Sequence, residues 1–130
     1  MIDYRHETPS TSQIIELYQN AGLNRPTGDH DRIAKMYQNS NLVISAWNQQ
    51  DLVAVARSLT DFCYCCYLSD LAVRLEYQSQ GIGKELIRLT RESISDQSML
   101  LLLSAPRAME YYPKVGFKKV GNGFMIDRLK

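Results

Sequence analysis

The stretch Tyr77-Gln78-Ser79-Gln80-Gly81-Ile82-Gly83-Lys84 holds two glycines one residue apart, followed at once by a lysine. Glycine lets the main chain turn tightly and approach a ligand, because no Cβ stands in the way. A helix starting here would offer unpaired N–H groups and a partial positive charge, which suit an anion. Lys84 adds a formal charge. A phosphate or pyrophosphate is the natural guest. Two common phosphate motifs nevertheless fit poorly. A dinucleotide-binding turn asks for G-x-G-x-x-G, and Leu86 stands where the third glycine would be. A Walker A loop asks for G-x-x-x-x-G-K-[ST]; here Glu85 follows Gly83-Lys84 and the upstream glycine is missing.

Other reactive residue types are scattered. Cys63, Cys65 and Cys66 form an odd, clustered set, a poor disulfide framework. They lack paired zinc spacing, and only His6 and His30 could join them. Reduced strand thiols in a cytoplasmic protein are the expectation, with no metal site. His30, between Asp29 and Asp31, reads as a surface residue at a helix start. Trp47 reads as core or interface. Phe62, Tyr64 and Tyr67 either line a pocket or fill a sheet face.

The elements that must position these residues can be read from period and punctuation. Residues 2 to 5 suit a short edge strand. Ser10 and Gln13 form a capping box, Ile14, Leu17, Tyr18 and Ala21 follow at helical spacing, and Gly22 ends the helix. Asp29 caps a second helix carrying Ile33, Met36 and Tyr37. Asn41–Trp47 and Leu52–Thr60 make a hairpin about a polar turn. An extended run covers Cys63–Val73. Leu86, Ile87, Thr90 and Ile94 mark a helix, and Met99–Ser104 a buried strand. Residues 64 to 104 then form a right-handed crossover between parallel strands. Ala105–Tyr112 suits a short helix ended near Pro113, and Phe117–Val120 and Phe124–Leu129 two closing strands around Gly121-Asn122-Gly123. The order β-α-α-β-β-β-α-β-α-β-β is that of a mixed α/β domain over residues 1–130.

Composition excludes several classes. The 130 residues are 45% hydrophobic and 22% charged, globular values rather than those of a disordered chain. Fifteen Lys and Arg against fourteen Asp and Glu leave a net charge of +1, which argues against a nucleic-acid coat or a polybasic membrane anchor. The longest apolar run, Met99–Leu103, has strand length, far short of the roughly 20 residues of a membrane span. The first residues have no apolar stretch typical of a signal peptide.

Two segments together carry a resemblance. Leu71-Ala72-Val73 followed by Tyr77–Leu86 resembles the signature of the GNAT superfamily of acyl-CoA-dependent N-acetyltransferases, [RQ]-x-x-G-x-[GA], with Gln78, Gly81 and Gly83 in register. About thirty residues on, Ala108-Met109-Glu110-Tyr111-Tyr112-Pro113-Lys114-Val115-Gly116-Phe117 resembles the family's A-x-x-[FY]-Y-x-K-x-G-F segment. The element order agrees with that fold over nearly the whole chain.

The resemblance implies a fold in which the strands ending near Val73 and Ser104 splay apart to admit acetyl-CoA as co-substrate. Leu71, Ala72 and Val73 would pair with the pantetheine arm through the main chain, like an added strand. Amides of Gln80, Gly81, Ile82, Gly83 and Lys84 would cradle the pyrophosphate, with Gln78 and Ser79 nearby. Gln78 stands where Arg is commoner, and Ser104 where Asn is common. Tyr112 aligns with the family's acid tyrosine, leaving Tyr111 to pack. The Val73 N–H would steady the thioester oxygen. Where relatives often carry a glutamate base stands Tyr67, which leaves Asp70 as the candidate base, or as a solvated or capping residue. The acceptor would be a small-molecule or protein amine, and Asp29, Asp31, Asp61 and Asp70, if they converge, would suit a cationic one. A homodimer is compatible with the family, as is a silent acyl-CoA-binding sensor of the same fold.

Overall fold

The computed structural model describes residues 1–130. Five strands form one sheet in the order β1-β2-β3-β4-β5: β1 Asp3–Arg5, β2 Leu42–Asn48, β3 Asp51–Thr60, β4 Cys65–Val73 and β5 Met99–Leu101. Neighbours run antiparallel except β4 and β5, which are parallel and joined through helix α3, Ile82–Ile94. Helices α1, Thr11–Ala21, and α2, His30–Gln38, cover the other face.

The helix ends follow their sequence signals. Gln13 N–H donates to the Ser10 hydroxyl and the Gln13 side chain accepts from Ser10 N–H, closing the capping box. Gly22 ends α1 in the left-handed region at φ 73°. The Asp29 carboxylate accepts from Arg32 N–H at 3.1 Å and opens α2.

Two cores sandwich the sheet. Leu42, Ile44 and Ala46 of β2 pack with Leu86, Ile87 and Ile94 of α3. Val43 and Trp47 turn the opposite way, to Leu17, Tyr18 and Ile33. In β4, Cys66 and Leu68 belong to the α3 side, whereas Ala72 belongs to the α1–α2 side. Strict period-two alternation would put all three on one face. A bulge resolves this: Arg57 pairs with Asp70 but Ser58 pairs with Leu68, so Ser69 is the extra residue.

The C-terminal third departs from expectation. β5 stops at Leu101, short of Ser104. The short helix expected over Ala105–Tyr112 is a 3₁₀ turn, Pro106–Ala108, followed by α4, Tyr111–Lys114. Pro113 lies inside the first turn of α4, where its missing N–H costs no intrahelical bond. The two closing strands are absent. Phe124, Ile126 and Leu129 are fully exposed, and residues 117–130 make no ladder. A turn flanked by apolar residues does not by itself make a hairpin; an edge must supply the hydrogen bonds, and residues 117–130 pair with none.

Candidate active site

β4 and β5 pair only between Cys65–Tyr67 and Met99–Leu101. Past Tyr67 and Leu101 the strands part, and a cleft of about 1290 Å³ opens between them. Leu71, Ala72 and Val73 form one wall, Leu102, Leu103 and Ser104 another. Gln78, Ser79, Gly81, Ile82, Gly83 and Lys84 close one end, and Tyr111 and Tyr112 of α4 face in. Of the residues expected at a cofactor, only Gln80 lies outside this lining; its side-chain amide donates to the Glu76 carbonyl at 3.3 Å.

The glycines of the loop act differently. Gly81 sits at φ 86°, with open space where a Cβ would stand, so backbone conformation is what demands glycine there. A Cβ on Gly83 would come within 3.0 Å of the Tyr111 hydroxyl and 3.7 Å of Val73 Cγ2, so a side chain here would have to displace that hydroxyl. No side chain caps α3, and its first N–H groups have no intrahelical partner. Gln78 Nε2 donates to the Val73 carbonyl at 3.0 Å, tying the loop to the end of β4. The Ser104 hydroxyl donates to the Ala105 carbonyl at 2.8 Å.

Tyr112 is half-buried, edge-on to Tyr111 and to Phe117 with ring centroids 5.2 and 5.5 Å away. Burial pushes its phenol up, Tyr111 adds to this, and Arg25 pulls the other way; the net shift is upward. The hydroxyl is therefore protonated at neutral pH, the form a general acid needs. Tyr111 is more exposed, but its hydroxyl is lodged against Gly83.

Asp70 lies behind the cleft rather than in its lining, and its side chain has no exposure. Oδ1 accepts from Arg25 Nε at 2.7 Å and the Ser69 hydroxyl at 3.1 Å; Oδ2 accepts from Arg57 Nε at 2.9 Å and the Tyr18 hydroxyl at 2.7 Å. The Tyr18 and Tyr37 hydroxyls are hydrogen-bonded in turn. Burial pushes the carboxyl up, but Arg57, Tyr18 and Arg25 outweigh it and hold it below the usual carboxylate range. A saturated, buried carboxylate held that low is a poor proton acceptor at neutral pH. This geometry argues against the base role expected of Asp70 from its place in the sequence.

Helical spacing places Tyr18 and Tyr37 as core positions and gives no sign of their hydroxyl roles, and Arg25 and Arg57 are assigned none from the sequence. One signal was there: Arg57 sits among buried apolar residues of a central strand, and a buried charge requires a partner. The remaining carboxylates expected near the acceptor stay away. Asp29 and Asp31 lie outside the cleft. Asp61 Oδ1 accepts from the N–H groups of Cys63, Tyr64 and Cys65, which hold its pKa down to about 2 and cap the β3–β4 turn. His30 is exposed beside Asp31. Of the three aromatics Phe62, Tyr64 and Tyr67, only Tyr67 lines the cleft. Trp47 is core, its Nε1 donating to the Ser45 hydroxyl at 2.8 Å. Cys63 and Cys65 are exposed free thiols and Cys66 a buried one. No group of three His, Cys, Asp or Glu side chains comes close enough to hold a metal ion.

A parallel pair opened at its end onto a glycine-rich helix start, with a tyrosine helix facing in, defines a class. The acetyltransferase (GNAT) domain profile matches residues 17–129, and the chain belongs to that family of N-acetyltransferases, which generally use acetyl-CoA. Among similar proteins, an uncharacterized N-acetyltransferase, ycf52, of Pyropia yezoensis is 26% identical, covering 94% of this chain and 76% of its own length. A ycf52-like uncharacterized N-acetyltransferase of Prochlorococcus marinus is 26% identical over 81% of this chain, which spans 61% of that relative. In fold, a Staphylococcus aureus protein of unknown function described as a probable acetyltransferase superposes with TM-score 0.85 at 21% identity, covering 98% of this chain and all of its own. The ribosomal-protein-S18-alanine N-acetyltransferase of Escherichia coli gives 0.76 at 20% identity, covering 93% and 80%. No helix is long and apolar enough to cross a membrane.

Proposed function

We propose that residues 1–130 form a single catalytic domain that transfers acetyl from acetyl-CoA to a primary amine by direct attack, with no covalent enzyme intermediate. The observation that carries this reading is the parting of β4 and β5 directly onto the uncapped start of α3. The unpaired edge of Leu71–Val73 offers main-chain groups to the pantetheine arm. The amides of Ile82, Gly83 and Lys84 face the pyrophosphate, with Lys84 adding charge. Ser104, its own hydroxyl proton committed to Ala105, retains acceptor capacity toward the arm. A setting in the reducing cytoplasm suits the three free thiols.

The reaction has three demands. The amine must be neutral, yet a lysine-like amine of pKa about 10.4 is neutral to only about one part in a few thousand at pH 7. The thioester oxygen gains charge as the amine attacks, and in this reading the Val73 N–H donates to it. The departing thiolate needs a proton, and the Tyr112 hydroxyl supplies it. Asp70 serves as an anchor that fixes Arg25 and Arg57 behind the acceptor side.

The test is calorimetric titration with acetyl-CoA, coenzyme A and ATP, followed by thiol release with amine acceptors. Acetyl-CoA binds and ATP does not. Tyr112→Phe lowers kcat by on the order of 10²–10⁴ with the acetyl-CoA affinity unchanged. Equal turnover in wild type and Tyr112→Phe sinks the acid assignment; absence of acetyl-CoA binding by folded protein sinks the cofactor assignment. Binding with no turnover of any amine would leave a sensor instead.

A further inference from the structure

The acceptor side of the cleft carries the opposite charge from the one a cationic amine requires. Arg25, Arg32, Arg57 and Arg128 all line the cleft, and no Asp or Glu does. The balance behind this wall is equally one-sided. Arg25 and Arg57 share the single carboxylate of Asp70, and neither is paired with any other acid, so the cluster keeps one net positive charge. Arg57 is nearly buried at 8% exposure, whereas Arg25 is 28% exposed and is where that charge meets the cleft. The Arg25 guanidinium spends Nε on Asp70, one N–H on the Asn24 carbonyl and one on the Ser69 carbonyl. A guanidinium has five N–H donors, so two are unspent. Its main-chain anchors fix the fork in place, and a rigid fork is suited to a carboxylate. Arg32 and Arg128 are exposed and add to the field at the mouth; Arg32 donates to the Lys130 carbonyl at 3.1 Å.

We propose that the acceptor is an amine bearing its own carboxylate, a small amino-carboxylate, bound through the free donors of Arg25 and drawn in by Arg32 and Arg128. This inference rests on the acetyl-transfer reading above and narrows its substrate. It also addresses the missing base. A like-charged wall disfavours the ammonium form of the bound amine and so raises its neutral fraction without a protein carboxylate. The neutral nitrogen attacks the thioester carbon, the new C–N bond forms and the C–S bond breaks. The surplus amine proton leaves to water, the thiolate takes a proton from Tyr112, and solvent reprotonates the phenolate.

The experiment follows thiol release from acetyl-CoA by the full chain with three acceptor sets: free amino acids, the carboxamides of the same amino acids, and linear diamines. The free carboxylates are favoured over their carboxamides by about tenfold or more in kcat/KM, the worth of one charged contact. Arg25→Lys, which keeps the charge on Asp70 but loses the fork, removes most of that preference. The double variant Arg32→Ala, Arg128→Ala changes only exposed residues; it raises the acceptor KM severalfold and flattens its salt dependence. Carboxamides or diamines used as well as carboxylates by the wild type overturn the proposal. So does an effect of the double variant on the acetyl-CoA KM alone, which would give these charges to the cofactor. If acetyl-CoA binds but no acceptor releases thiol, titration of the CoA-loaded protein decides: amino acids must bind more tightly than their carboxamides. If acetyl-CoA itself does not bind, the acetyl-transfer reading fails first and takes this one with it.

Discussion

At one end of the cleft, main-chain N–H groups at the start of α3 face the opening, and the side chains around them, Gln78, Ser79 and Lys84, are exposed. At the other end, Arg25 from the α1–α2 loop, Arg57 from β3 and Tyr18 from α1 converge on Asp70 of β4, which has no exposure at all. Both ends present positive charge. The first does so with backbone, so its side chains are replaceable, and Gln can stand where relatives prefer Arg. The second does so with side chains from four elements, each holding the others, so a change to one is felt by the rest.

Asp70→Asn breaks this asymmetry most sharply. It leaves two guanidiniums without a counter-charge and is expected to lower stability by about 3–5 kcal/mol, read from the urea midpoint. An effect under about 1 kcal/mol would show that the cluster anchors nothing. The same carboxylate sets an acid limit. Its folded pKa lies below the unfolded value, so its contribution is complete above the ordinary carboxylate range and is lost as pH falls through the lowered folded pKa. Acid unfolding followed by Trp47 fluorescence should show this loss only below about pH 4, and Asp70→Asn should lack it. Gly81→Ala comes next. A non-glycine residue at φ 86° costs roughly 1–2 kcal/mol, with no steric clash to relieve. The expected result is a melting temperature lower by several degrees, with acetyl-CoA binding weakened about tenfold if the loop relaxes instead. Gln78→Arg gives the smallest change: about two- to fivefold tighter acetyl-CoA binding at low salt, vanishing at high salt. A loss of affinity would mean that the Gln78 bond to the Val73 carbonyl matters more than charge.

The same contrast separates what was legible in the sequence from what was not. The capping box at Ser10, the stop at Gly22 and the hairpin about Gln49 and Gln50 are local, written within a few residues, and formed where expected. The glycine loop is local too, and its residues, Gln80 apart, line the cleft. The Asp70 cluster joins positions 18, 25, 57 and 70, and period-two counting along β4 cannot reveal an inserted residue. The misread C-terminal segment failed for a related reason. Phe117–Val120 and Phe124–Leu129 flank Gly121-Asn122-Gly123 as hairpin strands would, yet strand formation depends on a partner elsewhere in the chain. The motif separates Tyr111 from Tyr112 by alignment alone; the register of α4 adds that the Tyr111 hydroxyl lies at Gly83.

The bulge at Ser69 makes β4 a strand read in two phases. Before it, even-numbered residues face α3; after it, they face α1 and α2. Any chimera of this protein with a relative, joined inside β4, must therefore keep the bulge at Ser69 and not merely the chemistry on either side. A change that straightens the bulge while keeping every residue leaves each downstream side chain intact in type but inverted in address. Asp70 would then point at the aliphatic core under α3, and Leu71 and Val73 at the arginines.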